Sequence, residues 1–496
     1  MGFVAGPSLD EEGLAARNQS QLNRLEALLD QYRSRGQEHV FEFWDQLGDE
    51  SRDALLSQAE RLAPGLDTWL RARDSGSQGA GGQAGRAADR KIEPFEGVIP
   101  LPHTPGLRAS FSEAAECGEA MLRDGRVGVM VVAGGQGTRL GFPGPKGGFP
   151  VGPVTDRTLF ELQAQKIRRL GKRCGRALPW YVMTSAATDA ATRELFEASN
   201  YYGLDPEDVF IFSQGMVPSF DFEGRLILEA VDRIFENPDG HGGAIPALVA
   251  SGALSDMENR GIDTIYYYQV DNPLVRIGDP CYLGFHQLAR AEMSCKVVRK
   301  RDPEAKVGVV AQVDGWPGMV EYTELIDADR FAIGTDGELL YWAGNIAIHL
   351  FDTGFVRRVE ARSEPLLPYH LSQKKIPFVD ATGERCEPAE PNGYKLERWV
   401  FDALSAAREI CVVEVDPAFE FSPIKNADGN ESAATARQDL TGLYRDWIEA
   451  SPLESPPPDS LIEIDHSQID CIEDAQSVPF ASLAEATPVI RVRTGT

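Results

Sequence analysis

One stretch of the chain, VGVMVVAGGQGTRLGFPGPKG at residues 127 to 147, constrains fold and function more than any other. It opens with a short apolar run that is typical of a buried strand. The strand runs into Gly134 and Gly135, and glycine permits the positive φ and the close backbone approach that wrap N–H groups around phosphate oxygens. Arg139 and Lys146 add two cations to the same loop. The stretch therefore predicts a phosphate-binding loop at the end of a strand.

Two phosphate-binding motifs of other protein classes do not match this loop. The dinucleotide fingerprint G-x-G-x-x-G needs glycine where Leu140 stands, which disfavours a nicotinamide or flavin site. The motif G-x-x-x-x-G-K-[ST] also fails, because Lys146 is followed by Gly147 and is not preceded by glycine. The plain alternative is a glycine-rich turn with a structural arginine.

The length of 496 residues predicts more than one domain, because single hydrophobic cores stop growing at roughly 250–300 residues. Apolar residues at helical spacing from Asn18 to about Arg71 predict a small helical unit. The Gly, Ser and Ala stretch at residues 74 to 90 predicts a flexible surface loop or linker. We therefore expect a helical N-terminal unit over residues 1–105, a main domain over 106–420 and a small C-terminal unit over 421–496.

The main domain alternates short β-rich runs with helical stretches, which predicts an α/β fold with a mostly parallel sheet between helices. The predicted strands are Val127–Val132, Trp180–Thr184, Val209–Phe212 and Ile265–Val270, with Leu461–Ile464 and Val489–Val492 in the tail. The predicted helices are Leu159–Leu170, Ala190–Ser199, Cys281–Ala291 and Ala434–Ile448.

Charge and cysteine content limit the partners and the compartment. The formal net charge of −27 repels nucleic acid and anionic lipid, so neither is an expected partner, and nothing in the sequence implies a protein partner. The seven scattered cysteines contain no C-x-x-C pair, which predicts free thiols in a reducing compartment. Neither a signal peptide nor a membrane span is expected, so we predict a cytoplasmic protein.

The stretch AGGQGTRLGFPGPKG resembles the nucleotide-binding signature of the sugar-nucleotide pyrophosphorylases, and its wording is nearest to the eukaryotic-type UDP-N-acetylglucosamine pyrophosphorylases. Further blocks resemble the same family in the same order, from residue 18 to about residue 440. These blocks are WYVMTS at 180, FSQGM at 212, PDGHGG at 238, YQVDNPLV at 268, GMVEY at 318, AGNIA at 343, QKKIPFVD at 373, PNGYKLERWVFD at 391 and FSPIKNADG at 421. The resemblance implies a Rossmann-like nucleotidyltransferase domain.

For the nucleotide, the resemblance implies contacts from the glycine loop and from later loops. The implied nucleotide-binding residues are Ala133, Gly134, Gly135, Lys146, Gln214, Gly240, Asp271 and Lys395. Arg139 would meet the β and γ phosphates of UTP, and Lys146 the α phosphate. Gln214 would bind uracil, since an amide offers one donor and one acceptor to a pyrimidine edge. Without the resemblance, Gln214 is a polar loop residue.

Asp271 ends the strand-like run IYYYQVD and is the predicted magnesium ligand. Mg²⁺ usually takes one or two carboxylates with phosphate oxygens and waters, so one strand-end Asp is sufficient. Open α/β sheets also bind ligands at the carboxyl ends of their strands. The alternative for such an Asp is a cap of the following turn.

For the sugar phosphate, the resemblance implies contacts from His241, Glu321, Tyr322, Asn345 and Lys425. Carboxylate and amide groups suit hydroxyl recognition. His241 departs from the family pattern, because close relatives commonly carry Asn in the run D-G-N-G-G. Gly-His-Gly occurs in broader-specificity UDP-sugar pyrophosphorylases, so His241 leaves a broader sugar specificity open as an alternative.

The implied reaction joins UTP to N-acetylglucosamine 1-phosphate and releases pyrophosphate, with Mg²⁺ as cofactor. Arg139, Lys146 and Lys425 are the predicted catalytic residues, which neutralise charge. The alternatives are a UDP-glucose or broad-specificity UDP-sugar pyrophosphorylase and, in a different class, an inactive nucleotide-sugar sensor. The presence of Arg139, Lys146 and Asp271 argues against the sensor.

Overall fold

The computed structural model describes residues 11–77, 90–361, 367–477 and 489–493, and the chain divides into two compact units. The first unit comprises Met1–Gly82, Met216–His241 and Pro368–Trp399. The second comprises Gln83–Gly215, Gly242–Leu367 and Val400–Thr496. The expected boundaries at residues 105 and 420 follow the sequence order and stay a prediction, whereas these units follow the packing.

The first unit begins with helices and completes its core with short strands. Its helices are Glu11–Arg33, Asp49–Leu62 and Leu66–Ser77. Its strands are Met216–Pro218, Phe220–Asp221, Leu228–Ala230, Arg233–Ile234, Glu236–Pro238, Tyr369–Lys374, Phe378–Val379, Arg385–Cys386 and Gly393–Arg398. One hydrophobic cluster includes Leu55 and Leu56 of the helices with Phe220 and Leu396 of the strands. Of the predicted flexible loop, residues 78–89 lie outside the described residues, and residues 74–77 belong to the third helix.

Among its described residues, the second unit contains an 11-stranded sheet. In chain order its strands are β1 (Ile92–Pro94), β2 (Val98–Ile99), β3 (Val127–Val132), β4 (Trp180–Thr184), β5 (Val209–Ser213), β6 (Thr264–Gln269), β7 (Met293–Arg299), β8 (Val309–Val313), β9 (Trp316–Val320), β10 (Ala343–Asp352) and β11 (Ile410–Glu414). The order along the sheet is β2-β11-β7-β10-β6-β3-β4-β5, and β1, β8 and β9 extend it beside β10.

The sheet is mostly parallel, as predicted. β6, β3, β4 and β5 run parallel to one another, and so do β2, β11 and β7. β10 lies between β7 and β6 and is antiparallel to both. The carboxyl ends of the parallel strands therefore share one edge of the sheet with the start of β10.

Helices and a separate pair of antiparallel strands complete the second unit. The helices are Pro105–Asp124, Leu159–Cys174, Asp189–Ala198, Ala244–Ala250, Ala253–Asn259, Pro280–Leu288, Asp327–Arg330, Thr353–Glu360, Pro417–Glu420, Ala433–Glu449 and Ile472–Gln476, and Leu461–Ile464 pairs with Ile490–Arg493. Thr158 caps the helix that follows it by accepting a hydrogen bond from the Glu161 amide, and Gly175 at φ 69° ends the helix. The described residues contain no helix with the length and apolarity of a membrane span.

Most predicted elements are confirmed, with shifts at their ends. The strands at 127–132, 180–184 and 461–464 match the prediction at both ends. The helix predicted over Cys281–Ala291 ends earlier, at Leu288, because Arg290 takes a left-handed φ of 51° that a helix does not continue through. The seven cysteines, all within the described residues, are free thiols.

β7 carries a fully buried lysine that is paired with two carboxylates. The Lys296 ammonium donates to Asp279 at 2.8 Å and to Glu420 at 2.6 Å. Burial opposes ionisation of Asp279, but attraction to Lys296 and Arg276 outweighs it and lowers the pKa of that carboxyl to about 2. The cluster fixes the short helix Pro417–Glu420 against β7.

Two glycines allow the helices Pro105–Asp124 and Pro280–Leu288 to approach closely. A Cβ at Gly118 would lie 2.0 Å from the Pro280 carbonyl oxygen, and a Cβ at Gly284 would lie 1.7 Å from that of Ala114. Both obstacles are backbone atoms, so a larger residue requires one helix to move.

We expect Gly284→Ala to lower the free energy of unfolding by roughly 1–3 kcal/mol, the usual cost of overpacking. The matched control is Gly442→Ala in the helix Ala433–Glu449, where the added Cβ has no neighbour within 4 Å apart from the adjoining residues and backbone of its own helix. That change should stabilise by roughly 0.5–1 kcal/mol, because alanine loses less backbone entropy than glycine. Urea denaturation compares the two variants, and equal effects would contradict the packing argument.

Candidate functional site

The glycine loop folds back on itself after β3. The Lys146 amide donates to the Gly135 carbonyl at 3.0 Å, and the Gly137 amide donates to the Gly144 carbonyl at 2.9 Å. Lys146 therefore returns to the glycine pair, as the sequence predicts. Arg139 lies exposed on the short 3-10 helix Thr138–Leu140.

The expected positive φ is wrong for both members of the glycine pair, since neither Gly134 nor Gly135 has a left-handed backbone. Close approach by Ser185 favours glycine at position 134. A Cβ there would lie 3.3 Å from the backbone nitrogen and the Cβ of Ser185. The left-handed glycine of this loop is Gly141, at φ 69°, where the 3-10 helix ends.

Two buried hydroxyls that the sequence analysis did not single out hold the glycine pair in place. Ser185 Oγ donates to the Gly134 carbonyl at 2.8 Å and lies 3.1 Å from Thr188 Oγ1. Thr188 Oγ1 in turn accepts from the Ser185 amide at 3.1 Å. Ser185 belongs to the block WYVMTS, and its polar side chain directly after a buried strand was the available signal.

The carboxyl ends of β6, β3, β4 and β5 bring three predicted positions to one edge. The Val270 amide donates to the Val132 carbonyl at 3.1 Å, which places Asp271 beside the start of the glycine loop. The Gln214 amide donates to the Thr184 carbonyl at 3.0 Å. This edge is where open α/β sheets bind ligands.

Lys146 and Asp271 form the central ion pair of this edge. Lys146 Nζ lies 2.8 Å from Asp271 Oδ2, and the two side chains are 16% and 13% exposed. An ammonium with little access to water is a strong partner for a phosphate oxygen, and the carboxylate is an equally strong partner for a hard cation. The pair therefore presents one group for each charge of a metal–phosphate ligand.

The donor set fits magnesium only together with a ligand. Within the described ranges, no three or more His, Cys, Asp or Glu side chains form a cluster that could hold a metal ion. Mg²⁺ commonly uses one or two carboxylates and completes its shell with substrate phosphates and waters. Asp271 matches that pattern as a single carboxylate beside the Lys146 ammonium.

The turn that carries Lys425 lies directly beside Asp271. The Ile424 amide donates to the Asp271 carbonyl at 2.9 Å. Lys425 Nζ lies 3.0 Å from Glu431 Oε1, and both side chains are more than 40% exposed. Glu431, at a left-handed φ of 54°, also accepts from the Lys425 amide through its carbonyl at 2.7 Å. The sequence analysis did not single out Glu431.

Two of the predicted sugar-binding residues of the second unit, Glu321 and Asn345, meet at Gly308. The Asn345 amide donates to the Gly308 carbonyl at 2.9 Å, and a Cβ at Gly308 would lie 2.9 Å from Glu321 Oε1. Tyr322 follows Glu321 at the end of β9. Asn345 stands near the start of β10, on the edge where β6 ends.

Three predicted residues, Gly240, His241 and Lys395, belong to the first unit. Gly240 has a φ of 85°, and a Cβ there would lie 2.5 Å from the Arg398 carbonyl oxygen, so both conformation and space require glycine. Lys395 is on the same strand as Arg398, with its ammonium 5.2 Å from the centroid of the Phe235 ring. Burial and the neighbouring charge of His370 lower the pKa of His241 to about 4, so its imidazole is neutral at pH 7.

Similarity to known proteins covers all the candidate site residues described above. A family model described as UTP–glucose-1-phosphate uridylyltransferase matches residues 107–480. The human UDP-N-acetylhexosamine pyrophosphorylase-like protein 1 is 41% identical over 425 residues, which cover 83% of each chain. The UDP-N-acetylglucosamine pyrophosphorylase of Saccharomyces cerevisiae is 35% identical over 84% of this chain and 89% of its own. The crystal structure of the Trypanosoma brucei UDP-N-acetylglucosamine pyrophosphorylase in complex with an inhibitor superposes with a TM-score of 0.74, at 27% identity and 86% coverage of both chains.

The Lys146–Asp271 pair predicts opposite effects of Asp271→Asn with and without metal. With Mg²⁺, UTP affinity should fall roughly 10-fold or more, the usual loss when a metal site is damaged. With EDTA, affinity should equal or exceed that of the unchanged protein, because the amide no longer competes with phosphate for Lys146. Isothermal titration calorimetry measures both, with Asp263→Asn at the start of β6 as the control. An equal loss in both buffers would remove Asp271 from the metal site.

Proposed function

Because the chain belongs to the UTP–glucose-1-phosphate uridylyltransferase family, we propose that it forms UDP-N-acetylglucosamine and pyrophosphate from UTP and N-acetylglucosamine 1-phosphate. One observation supports this most. The glycine loop, the strand end with Asp271 and the turn with Lys425 converge at one edge of the sheet. The yeast and trypanosome relatives, named for UDP-N-acetylglucosamine, support the choice of sugar.

The proposed reaction is a displacement at phosphorus. An oxygen of the sugar phosphate attacks the α phosphorus of UTP and forms the new O–P bond. The bond from that phosphorus to the bridging oxygen breaks, and pyrophosphate leaves with the electron pair. A phosphate monoester is largely ionised at neutral pH, so the nucleophile needs no general base. Positioning and charge neutralisation then carry the catalysis.

Three cations have separate proposed tasks. Lys146 binds the α phosphate beside the glycine pair, where Asp271 competes for its ammonium. Lys425 binds the sugar phosphate, and its pair with Glu431 is exposed and therefore weak enough to exchange. Arg139 neutralises the departing pyrophosphate.

The remaining proposed contacts fix the base and the sugar. Gln214 binds uracil, and Glu321, Tyr322 and Asn345 bind sugar hydroxyls. In the first unit, the resemblance implies that Gly240 and Lys395 contact the nucleotide and that His241 contacts the sugar.

Asp271 is the proposed residue that holds Mg²⁺, with UTP phosphate oxygens as further ligands. When bound, the metal supplies positive charge that offsets the phosphate charge. The chain's own part is to present the Asp271 carboxylate at the strand end, where the turn of Ile424 fixes its backbone carbonyl.

The proposed compartment is the cytoplasm. Seven free cysteines support a reducing environment, because disulfides form and persist in oxidising compartments.

A UDP-glucose or broad-specificity activity is the second candidate, and His241 is the observation that favours it. A neutral imidazole offers one donor and one acceptor on a rigid ring, whereas the Asn expected there presents both on a smaller amide. The two side chains would therefore meet an acetamido group differently.

We expect N-acetylglucosamine 1-phosphate to have a higher kcat/KM than glucose 1-phosphate. The preference should be modest, because an acetamido group that is merely accommodated is discriminated by ~1–3 kcal/mol. His241→Asn should shift the ratio towards the acetamido sugar, and His103→Asn, at an exposed position, should not. A pyrophosphate-release assay with a panel of sugar 1-phosphates measures both. A higher value for glucose 1-phosphate would replace the proposed sugar and leave the reaction class intact.

We expect Arg139→Ala to reduce turnover by about 10²–10³-fold, as for loss of a donor that stabilises a transition state. UTP affinity should fall less, because the interaction strengthens as the bridging bond breaks. Arg139→Lys should restore activity only in part, since an ammonium lacks the planar fork of a guanidinium. Steady-state kinetics in both directions test this, with the exposed Arg176→Ala as the control. Unchanged use of pyrophosphate by Arg139→Ala would make the arginine a structural residue.

A further inference from the structure

Asn272 is a buried amide that joins two parts of the chain about 150 residues apart. Asn272 is 4% exposed. Nδ2 donates to the Glu420 carbonyl at 2.7 Å, and Oδ1 accepts from the Ser422 amide at 3.1 Å and from the Leu274 amide at 3.2 Å. Both ends of the amide thus link the loop after β6 to the segment that leads to Lys425.

The segment from Glu420 to Lys425 is anchored at further points. The Glu420 carboxylate accepts from the buried Lys296 ammonium, and Ser422 Oγ donates to Asp439 at 2.6 Å. The Ile424 amide donates to the Asp271 carbonyl, so the segment runs alongside the loop up to Lys425 itself. Lys425 is therefore attached to a fixed backbone, although its ammonium is exposed.

The loop after β6 is anchored on its other side. The buried Lys166 ammonium donates to the Pro273 and Val275 carbonyls at 2.8 and 2.9 Å. Gln163 Nε2 donates to the Val270 carbonyl at 2.9 Å. Both donors come from the helix Leu159–Cys174, so this helix fixes the position of the loop. Asn272, in the same loop, in turn fixes the segment from Glu420 to Lys425.

We propose that Asn272 is a positioning residue that sets the separation between Asp271 and Lys425. The inference rests on the proposed function, in which these residues hold the metal and the sugar phosphate. In-line attack requires the two phosphates in one geometry, and a displacement of about 1 Å costs about 100-fold in rate. Because its side chain is buried among backbone groups, Asn272 acts through Asp271 and Lys425 and does not contact substrate.

The decisive test is a double-mutant cycle between Asn272→Ala and Lys425→Ala. We expect Asn272→Ala to lower kcat/KM for the sugar phosphate up to about 100-fold. In the Lys425→Ala background the same change should cost much less, because the group it positions is gone. Independent, multiplying losses would overturn the inference, since they are the result of a structural role alone. Asn272→Asp keeps the shape and both accepted bonds, and it repeats the cycle should the alanine variant fail to fold.

Gln37→Ala is the matched control. Gln37 is a buried amide that also joins distant segments, donating to the Gly224 carbonyl at 3.1 Å and accepting from the Leu226 amide at 2.8 Å. It lies among residues of the first unit that have no proposed role. Gln37→Ala should reduce stability but leave kcat and KM for the sugar phosphate unchanged. The double variant with Lys425→Ala should therefore show the same kinetics as Lys425→Ala alone.

Hydrogen exchange followed by mass spectrometry tests, without relying on activity, whether Asn272 holds the segment that leads to Lys425. In Asn272→Ala the amides of Ser422 and Ile424 should exchange at least several-fold faster, and in Gln37→Ala they should not. Unchanged exchange in Asn272→Ala would overturn the inference whatever the activity. If Lys425→Ala leaves sugar-phosphate kinetics intact while exchange accelerates in Asn272→Ala, the proposed role of Lys425 fails. The structural link made by Asn272 would still be supported.

Discussion

The parallel pairing of β3 with β6 is the constraint on which the candidate site depends. Val132 and Gln269 are partners in that register, so the two strands end level with each other. The glycine loop and Asp271 therefore start side by side. Lys146 then needs only to return to Gly135 to reach the carboxylate. A shift of one residue would turn the following side chains to opposite faces and separate the two charges. The turn that carries Lys425 joins the same edge through the bond from the Ile424 amide to the Asp271 carbonyl.

Positive charge at this edge is matched locally in a strongly acidic chain. Lys146 lies against Asp271, and Lys425 lies against Glu431. These pairs limit mutual repulsion between the two lysines, and they set a condition for binding, because a phosphate must compete with a carboxylate for each ammonium. The two pairs differ in exposure, so the first is the more sensitive to desolvation and the second to salt. The fully buried Lys296 cluster is structural by contrast, since both of its carboxylates are also enclosed.

Sequence reasoning reached the features that local chemistry determines. The strand Val127–Val132, the return of Lys146 and the strand-end position of Asp271 follow from apolar runs, glycine and turn residues close together in the chain. What it missed depends on distant contacts. Ser185 matters because β4 ends beside Gly134, and the first unit combines three segments because strands near residues 220 and 396 pack on the N-terminal helices. The wrong positive φ at the glycine pair has the same origin, since the neighbour that crowds Gly134 is Ser185, which is distant in the chain.

The three-segment construction of the first unit sets an order of events during synthesis. Its helices leave the ribosome first, but their hydrophobic cluster includes Leu396, so Leu55 and Leu56 wait with part of their apolar surface uncovered while most of the chain is made. The second unit is interrupted in the same way, and β11 joins its sheet only after residue 410 has emerged. Neither unit is able to finish on its own segment of nascent chain. Folding of this kind depends on long loop closures, which are slow, and it leaves apolar helix faces for chaperones to shield in the interval.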